Sequence, residues 1–221
     1  MGFFAIPLKT FYPAFFKNSF SKSVFGVWLF GYGFAMLSGV YVIVLAAGEG
    51  RRFKASGARE HKLNVPLAGR RLREHVLASV LGSGLPSYVV EPEHIAHLPN
   101  AGMGDSIAAG VAATVQASGW LILPADLPLV LAQTLLDVVQ ALRQHSLVVP
   151  CYQGQHGHPV GFGVQHRSAL LQLSGDHGAR ALLHAHKVHR LELADEGIVL
   201  DVDTLSDLDV VQNRISSRSK A

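Results

Sequence analysis

The stretch Val42–Phe53, VIVLAAGEGRRF, restricts this chain more than any other. An apolar run stops at two glycines, Gly48 and Gly50, and two arginines follow at once. A run of that kind reads as a buried strand, and glycines after it let backbone N–H groups approach an anion closely. Several uses of such a turn compete. A dinucleotide fingerprint needs a third glycine opening a helix, where this chain has Phe53, and a P-loop needs a Gly-Lys-Ser/Thr that does not follow. A plain strand-to-loop turn on a glycine pair stays open, beside a phosphate cradle of another type. The cradle gains from Arg51, Arg52 and the later Lys62, whose charges would neutralise a phosphate chain.

From Val40 onward, strand-like and helix-like segments alternate. Val40–Leu45, Ser87–Val90, the run WLILP, SLVVPCY and Val188–Leu193 read as strands. Leu72–Leu81, Ser106–Gln116, LAQTLLDVVQALRQH, Ser168–Leu173 and Ala179–Ala185 carry helical spacing. Such alternation predicts an α/β fold of three layers, a mostly parallel sheet with helices on both faces, Rossmann-like in outline. Ligands of such sheets sit beyond the carboxyl ends of the strands.

With 221 residues the chain has room for one domain and an appendage. Residues 1–39 are rich in aromatics and contain no acidic residue, so the main domain is assigned to residues 40–215. Val24–Leu37 is apolar but shorter than the ~20 residues a spanning helix needs. A signal peptide or membrane anchor and an over-long extension, with Met36 as the initiator, are both open; the extension is the reading preferred, and a membrane partner is not expected. Lys plus Arg number 19 against 16 Asp plus Glu, too small and too dispersed an excess to argue for nucleic acid. The single cysteine, Cys151, excludes an internal disulfide framework and fits a reducing compartment, so a cytoplasmic location is expected.

LAAGEGRRF followed by HKLNVPLAGRRLREHVL resembles the nucleotidyltransferase signature L-A-A-G-x-[GS]-x-R with a downstream K-L-x-x-P-L-x-G. GMGDSIAAGV, PADLPLV, GHPVGF, SGDHGARALL and LDVDTLSDLD follow in order, ending at Asp209. The ordered set resembles the molybdenum cofactor cytidylyltransferases, within the MobA-like NTP transferase superfamily. Ala46-Ala47-Gly48, where guanylyltransferase relatives usually carry a second glycine, and GHPV with GDHGAR favour the cytidylyl branch.

The resemblance implies that CMP passes from CTP, with Mg²⁺, to the phosphate of a molybdopterin-type cofactor, with a molybdenum hydroxylase as a further partner. By the same resemblance, Leu45, Ala46, Ala47, Gly48, Gly50 and Arg51 hold the nucleotide together with Gly102, Gly104 and Ser106. Arg52, Lys62 and Asp126 are the implied catalytic residues, Asp126 and Asp203 the implied metal ligands, and His158, Asp176 and Arg180 the implied acceptor contacts. The chemistry agrees, since nucleotidyl transfer develops negative charge that arginine, lysine and a hard cation stabilise. Asp126 follows an apolar run, as a carboxylate at a strand's carboxyl end would. The residues taken alone also allow blander uses: Asp126 opening a turn before Pro128, Thr204 capping a helix, His158 donating a bond to backbone, and Asp176 capping a helix with Arg180 in solvent. The histidines around His184 and His186 are not read as a metal site, because i, i+2 side chains diverge on a helix.

Two features depart from the resembled pattern. FKASGAREH, between Arg52 and Lys62, is longer than expected, which predicts a longer lid over the triphosphate. Between SYVVEPEH and GMGDS stands only IAHLPNA, where a β-α element is expected. Two alternatives therefore stand beside cytidylyl transfer: transfer to another small phosphate such as a sugar 1-phosphate, and a non-catalytic module that holds and delivers the cofactor.

Overall fold

The structure is a computed structural model, described over residues 39–218. The extension expected over residues 1–39 lies almost wholly outside the described residues.

Each segment from Val40 onward that reads as a strand is one: β1 (Val40–Leu45), β4 (Ser87–Val90), β5 (Gly119–Pro124), β6 (Leu147–Tyr152) and β9 (His189–Glu192). Shorter strands complete the set: β2 (Pro66–Leu67), β3 (Arg70–Arg71), β7 (Gln155–His156) and β8 (Val160–Gly163). The helices are α1 (Arg51–Ala55), α2 (Leu72–Ser83), α3 (Met103–Ala113), α4 (Ala132–Leu142), α5 (Arg167–Leu171), α6 (Arg180–Ala185) and α7 (Leu205–Arg218). Seven strands form one sheet in the order β4-β1-β5-β8-β6-β7, with β9 also paired to β6; β2 and β3 make a separate hairpin. β4, β1 and β5 run parallel, as do β6 and β9, while β8 is antiparallel to both its neighbours.

Alternation along the strands divides the core into two layers. Val42 and Val44 of β1 and Leu121 and Leu123 of β5 face one side, with Val76 of α2, Val138 of α4 and Val211 of α7. Ile43, Trp120 and Ile122 face the other, with Ile107 of α3 and Leu170 of α5. Burying both faces of a strand requires the near-continuous apolar runs that the sequence carries. The three-layer α/β architecture is therefore as expected.

Two differences have physical causes. α3 starts at Met103 rather than Ser106 because Asp105, at the third helical position, accepts a hydrogen bond from Gly102 N at 2.8 Å and so closes the helix start. β8 was legible only as the motif GHPVGF, yet Val160 and Phe162 are buried there, and Gly161 lets α4 close in: a Cβ would meet Val138 at 2.8 Å. The domain expected over residues 40–215 carries its last helix on to Arg218. Between β4 and α3 the chain makes only a 3-10 turn at Pro92–His94, which leaves β4 at the sheet edge. Among the described residues no helix is long and apolar enough to cross a membrane.

Candidate active site

Two loops leave the sheet side by side at the carboxyl ends of β1 and β5. Ala125 N donates to Leu45 O at 3.0 Å, so the β1–β5 pairing continues one residue past the strands before the chains separate. From β1 comes the glycine loop; from β5 comes Asp126. Val202 N then donates to the Asp126 carbonyl at 3.0 Å, which sets the segment carrying Asp201 and Asp203 alongside. Asp207 accepts from Thr204 N at 2.8 Å and Thr204 Oγ1 accepts from Asp207 N at 3.2 Å, so Thr204 caps α7 and fixes where that segment turns away.

Lys62 stands between the two. Its Nζ lies 2.6 Å from Asp126 Oδ2 and 2.9 Å from Asp203 Oδ1, and its side chain is 11% exposed. Arg52 pairs with the other oxygen of Asp203. Burial alone would lower the Lys62 pKa, but the charges and hydrogen bonds of Asp126 and Asp203 outweigh it and raise it above the ordinary lysine value. Asp201, which faces the same cleft, is raised above the usual carboxylate value by partial desolvation and by the charges of Asp126 and Asp203.

These groups line a cleft of about 1310 Å³ at the carboxyl ends of the strands. One wall is the glycine loop, with Ala47, Gly48, Gly50, Arg51 and Arg52; Leu45 also faces the cleft. Gly50 adopts φ 63°, ψ 36° as it leads into α1, a left-handed conformation that favours glycine. A Cβ on Gly48 would touch nothing within 4 Å, so the backbone there stands open to a ligand. Arg51 pairs with Glu49 at 2.7 Å in solvent, an interaction of small worth that a phosphate chain can replace.

Other expected residues divide between cleft and scaffold. Gly102, Ser106, Asp176 and His158 line the cleft. Ala46 does not: it is buried in the core, with its N–H bonded to Val90 O at 2.9 Å. Gly104 is also buried outside the cleft, where a Cβ would meet the Ser174 backbone at 2.7 Å. Its smallness serves contact between α3 and the SGDHG loop. Asp105, not among the expected residues, ties the same two segments, accepting from both Gly102 N and Gly175 N at 2.8 Å. Those bonds hold its carboxyl below the usual range. Arg180, exposed at the start of α6, is not among the cleft-lining residues. The imidazole of His158 is pushed down by burial, against the smaller opposing effects of Asp126 and a hydrogen bond to the Ile122 backbone, and its Nδ1 has no partner.

A divalent cation fits this set. Asp126 Oδ1 is buried with no hydrogen-bond partner while Oδ2 is held by Lys62, leaving one carboxylate oxygen free for a hard cation. Among the described residues no cluster of three or more His, Cys, Asp or Glu forms a cage for an ion. A cation that completes its shell with phosphate oxygens and water needs only one or two carboxylates.

The chain was compared with known proteins. No curated protein matches it. Among solved structures, Rv0371c from Mycobacterium tuberculosis H37Rv is 23% identical, with a TM-score of 0.66 over 80% of this chain and 98% of that one. The same protein has been crystallised with manganese, and that structure matches with a TM-score of 0.62 over 79% and 98% of the two chains, again at 23% identity. A molybdopterin-guanine dinucleotide biosynthesis protein A from Archaeoglobus fulgidus is 17% identical, with a TM-score of 0.61 over 80% and 99%. Likeness at this level of identity establishes the shared fold. The match that identifies the chain covers residues 42–191, from within β1 to within β9: it belongs to the family of MobA-like NTP transferase domains.

Proposed function

We propose that this nucleotidyltransferase moves CMP from Mg·CTP to the terminal phosphate of a molybdopterin-bound molybdenum cofactor and releases pyrophosphate. The observation that carries the reading is Lys62, held between Asp126 and Asp203 at the mouth of a glycine loop with Arg51 and Arg52. In the balanced step an oxygen of the acceptor phosphate forms a bond to the α-phosphorus of CTP. The bond from that phosphorus to the bridging oxygen of pyrophosphate breaks, and its electron pair leaves with pyrophosphate. No nucleophilic side chain is needed.

Each residue has a part in this. The loop backbone from Ala47 to Gly50 receives the triphosphate, and Arg51 and Arg52 exchange their carboxylate partners for phosphate oxygens. Lys62, kept protonated by its carboxylates, stabilises charge at the α-phosphoryl group. Asp126, with Asp203, would hold the cation, which supplies further charge neutralisation and orients the phosphates when bound. His158, whose imidazole pKa is pushed down by burial, and His156 line the same cleft and would border the acceptor. The preference for cytidine rests on the resemblance: Ala47, which lines the cleft, stands where guanylyltransferase relatives usually carry a second glycine.

The test is pyrophosphate release with each of the four nucleoside triphosphates, with and without molybdopterin-bound molybdenum, and with sugar 1-phosphates as acceptors. Release requiring both CTP and the cofactor supports the reading. Release with a sugar 1-phosphate in its place moves the acceptor to the alternative class. Cofactor binding without release makes the protein a delivery module, a reading in which a molybdenum hydroxylase would be the recipient.

A further inference from the structure

His61 connects the two parts of the site that bear on phosphate. It immediately precedes Lys62 and lies outside every contact assigned so far. Its ring bridges two backbones. Nε2 lies 2.8 Å from the carbonyl oxygen of Gly48, and Nδ1 lies 3.3 Å from the backbone nitrogen of Leu63. The Leu63 N–H can only donate, so Nδ1 is the unprotonated nitrogen; the Gly48 carbonyl can only accept, so Nε2 carries the hydrogen. Both bonds are made by a single neutral tautomer. The Nδ1 bond caps the 3-10 turn Lys62–Asn64, and Asn64 N completes that turn by donating to His61 O at 2.8 Å.

We infer that His61 is a positioning residue that couples the glycine loop to Lys62. By holding the Gly48 carbonyl toward the Lys62 turn, it keeps that oxygen away from incoming phosphate and leaves the N–H groups that follow to face the cleft. A Cβ placed on Gly50 would lie 3.7 Å from His61 Nε2 and 3.4 Å from Lys62 Cγ, so no more than the width of a methyl group separates loop and turn there. Alone, a five-residue helix such as α1 offers little to fix its preceding loop. A tether from the neighbouring turn supplies that fixation. The inference rests on the reading of the loop as a phosphate cradle.

Two substitutions separate the tether from the cap. Asparagine places its amide at the position of Nδ1, so His61→Asn keeps the cap and loses the reach to Gly48. Glutamine reaches the position of Nε2, so His61→Gln keeps the tether and loses the cap. Binding of Mg·CTP, melting temperature and amide exchange over residues 48–52 are measured on wild type, both variants and His61→Ala. The expected result is CTP affinity lowered about tenfold in His61→Ala and His61→Asn, the scale of one lost hydrogen bond plus loop ordering, and restored toward wild type in His61→Gln. Amide protection at Glu49 and Gly50 should follow the same order. The reverse order, with asparagine restoring affinity and glutamine not, would show that only the cap matters and overturn the inference. Equal affinity in all four proteins would overturn it too. If wild type binds no nucleoside triphosphate, the functional reading fails on its own account. The tether is then decided by exchange alone: protection lost in His61→Asn and kept in His61→Gln supports it, and unchanged protection refutes it.

Discussion

Replacing Lys62 with methionine removes the ammonium shared by Asp126 and Asp203 while keeping most of the side chain's bulk. Both carboxylates would then face each other across the space it leaves. Breaking a fully buried pair costs about 3–5 kcal/mol, because the remaining charge is stranded. Here the carboxylate side chains keep 17% and 26% exposure, so water screens part of the repulsion. A loss of about 2–3 kcal/mol is the reasoned value, after discounting for that exposure. For a domain of this size that lowers the melting temperature by roughly 5–10 °C. Transfer should fall much further, by ~10²-fold or more, since a cation at the developing phosphoryl charge is lost. The assays are thermal unfolding without nucleotide and pyrophosphate release with Mg·CTP. Adding Asp203→Asn removes the repulsion, so the double variant should regain much of the stability and none of the activity. A Lys62→Met protein that melts with wild type would refute the claim that Lys62 holds the two carboxylates together. One that keeps its turnover would refute its part in transfer.

Other perturbations have distinct readouts. Asp126→Asn should keep the fold and lower turnover by ~10²-fold or more; near-normal turnover at ordinary Mg²⁺ would remove Asp126 from the metal site. Gly50→Val forces a β-branched residue to φ 63° and should weaken CTP binding more than it lowers the melting temperature; intact affinity in the folded fraction would reduce the loop to a turn. His166 is pushed down by burial and then by His186. Its folded pKa lies below the unfolded value, so its stabilisation is present above about pH 6.5 and is lost as pH falls through the folded value. His166→Leu should therefore lose less melting temperature than wild type between about pH 7.5 and 5, and an equal loss would contradict the assignment.

The elements that sequence disclosed are those whose causes are local. β1, β5 and β6 are apolar because both their faces are covered, and that leaves a mark in the residues themselves. Gly48, Gly50 and the arginines likewise declare a turn with positive charge. The grouping of Lys62 with Asp126 and Asp203 is different: the partners lie 64 and 141 positions away in the chain. No spacing rule relates them, and only the ordered resemblance joined them before the fold did. β8 was missed because glycine and proline surround its short apolar core, and such residues ordinarily mark loops. Asp105 had a local signal, an acidic residue three positions into a helix start, and its bond to Gly175 did not. His61 had no signal: its reach to Gly48 across the chain exists only once the loop has folded back. Gly104 is a motif glycine whose smallness serves packing against Ser174, a contact that spacing does not disclose.

The most direct measurement follows the α-phosphate. With CTP labelled at that position, Mg²⁺ and molybdopterin-bound molybdenum, the label should pass to the cofactor with equimolar pyrophosphate, and Asp126→Asn should abolish the transfer. Label that stays in CTP, or moves to a sugar phosphate supplied in the same mixture and not to the cofactor, would contradict the assignment.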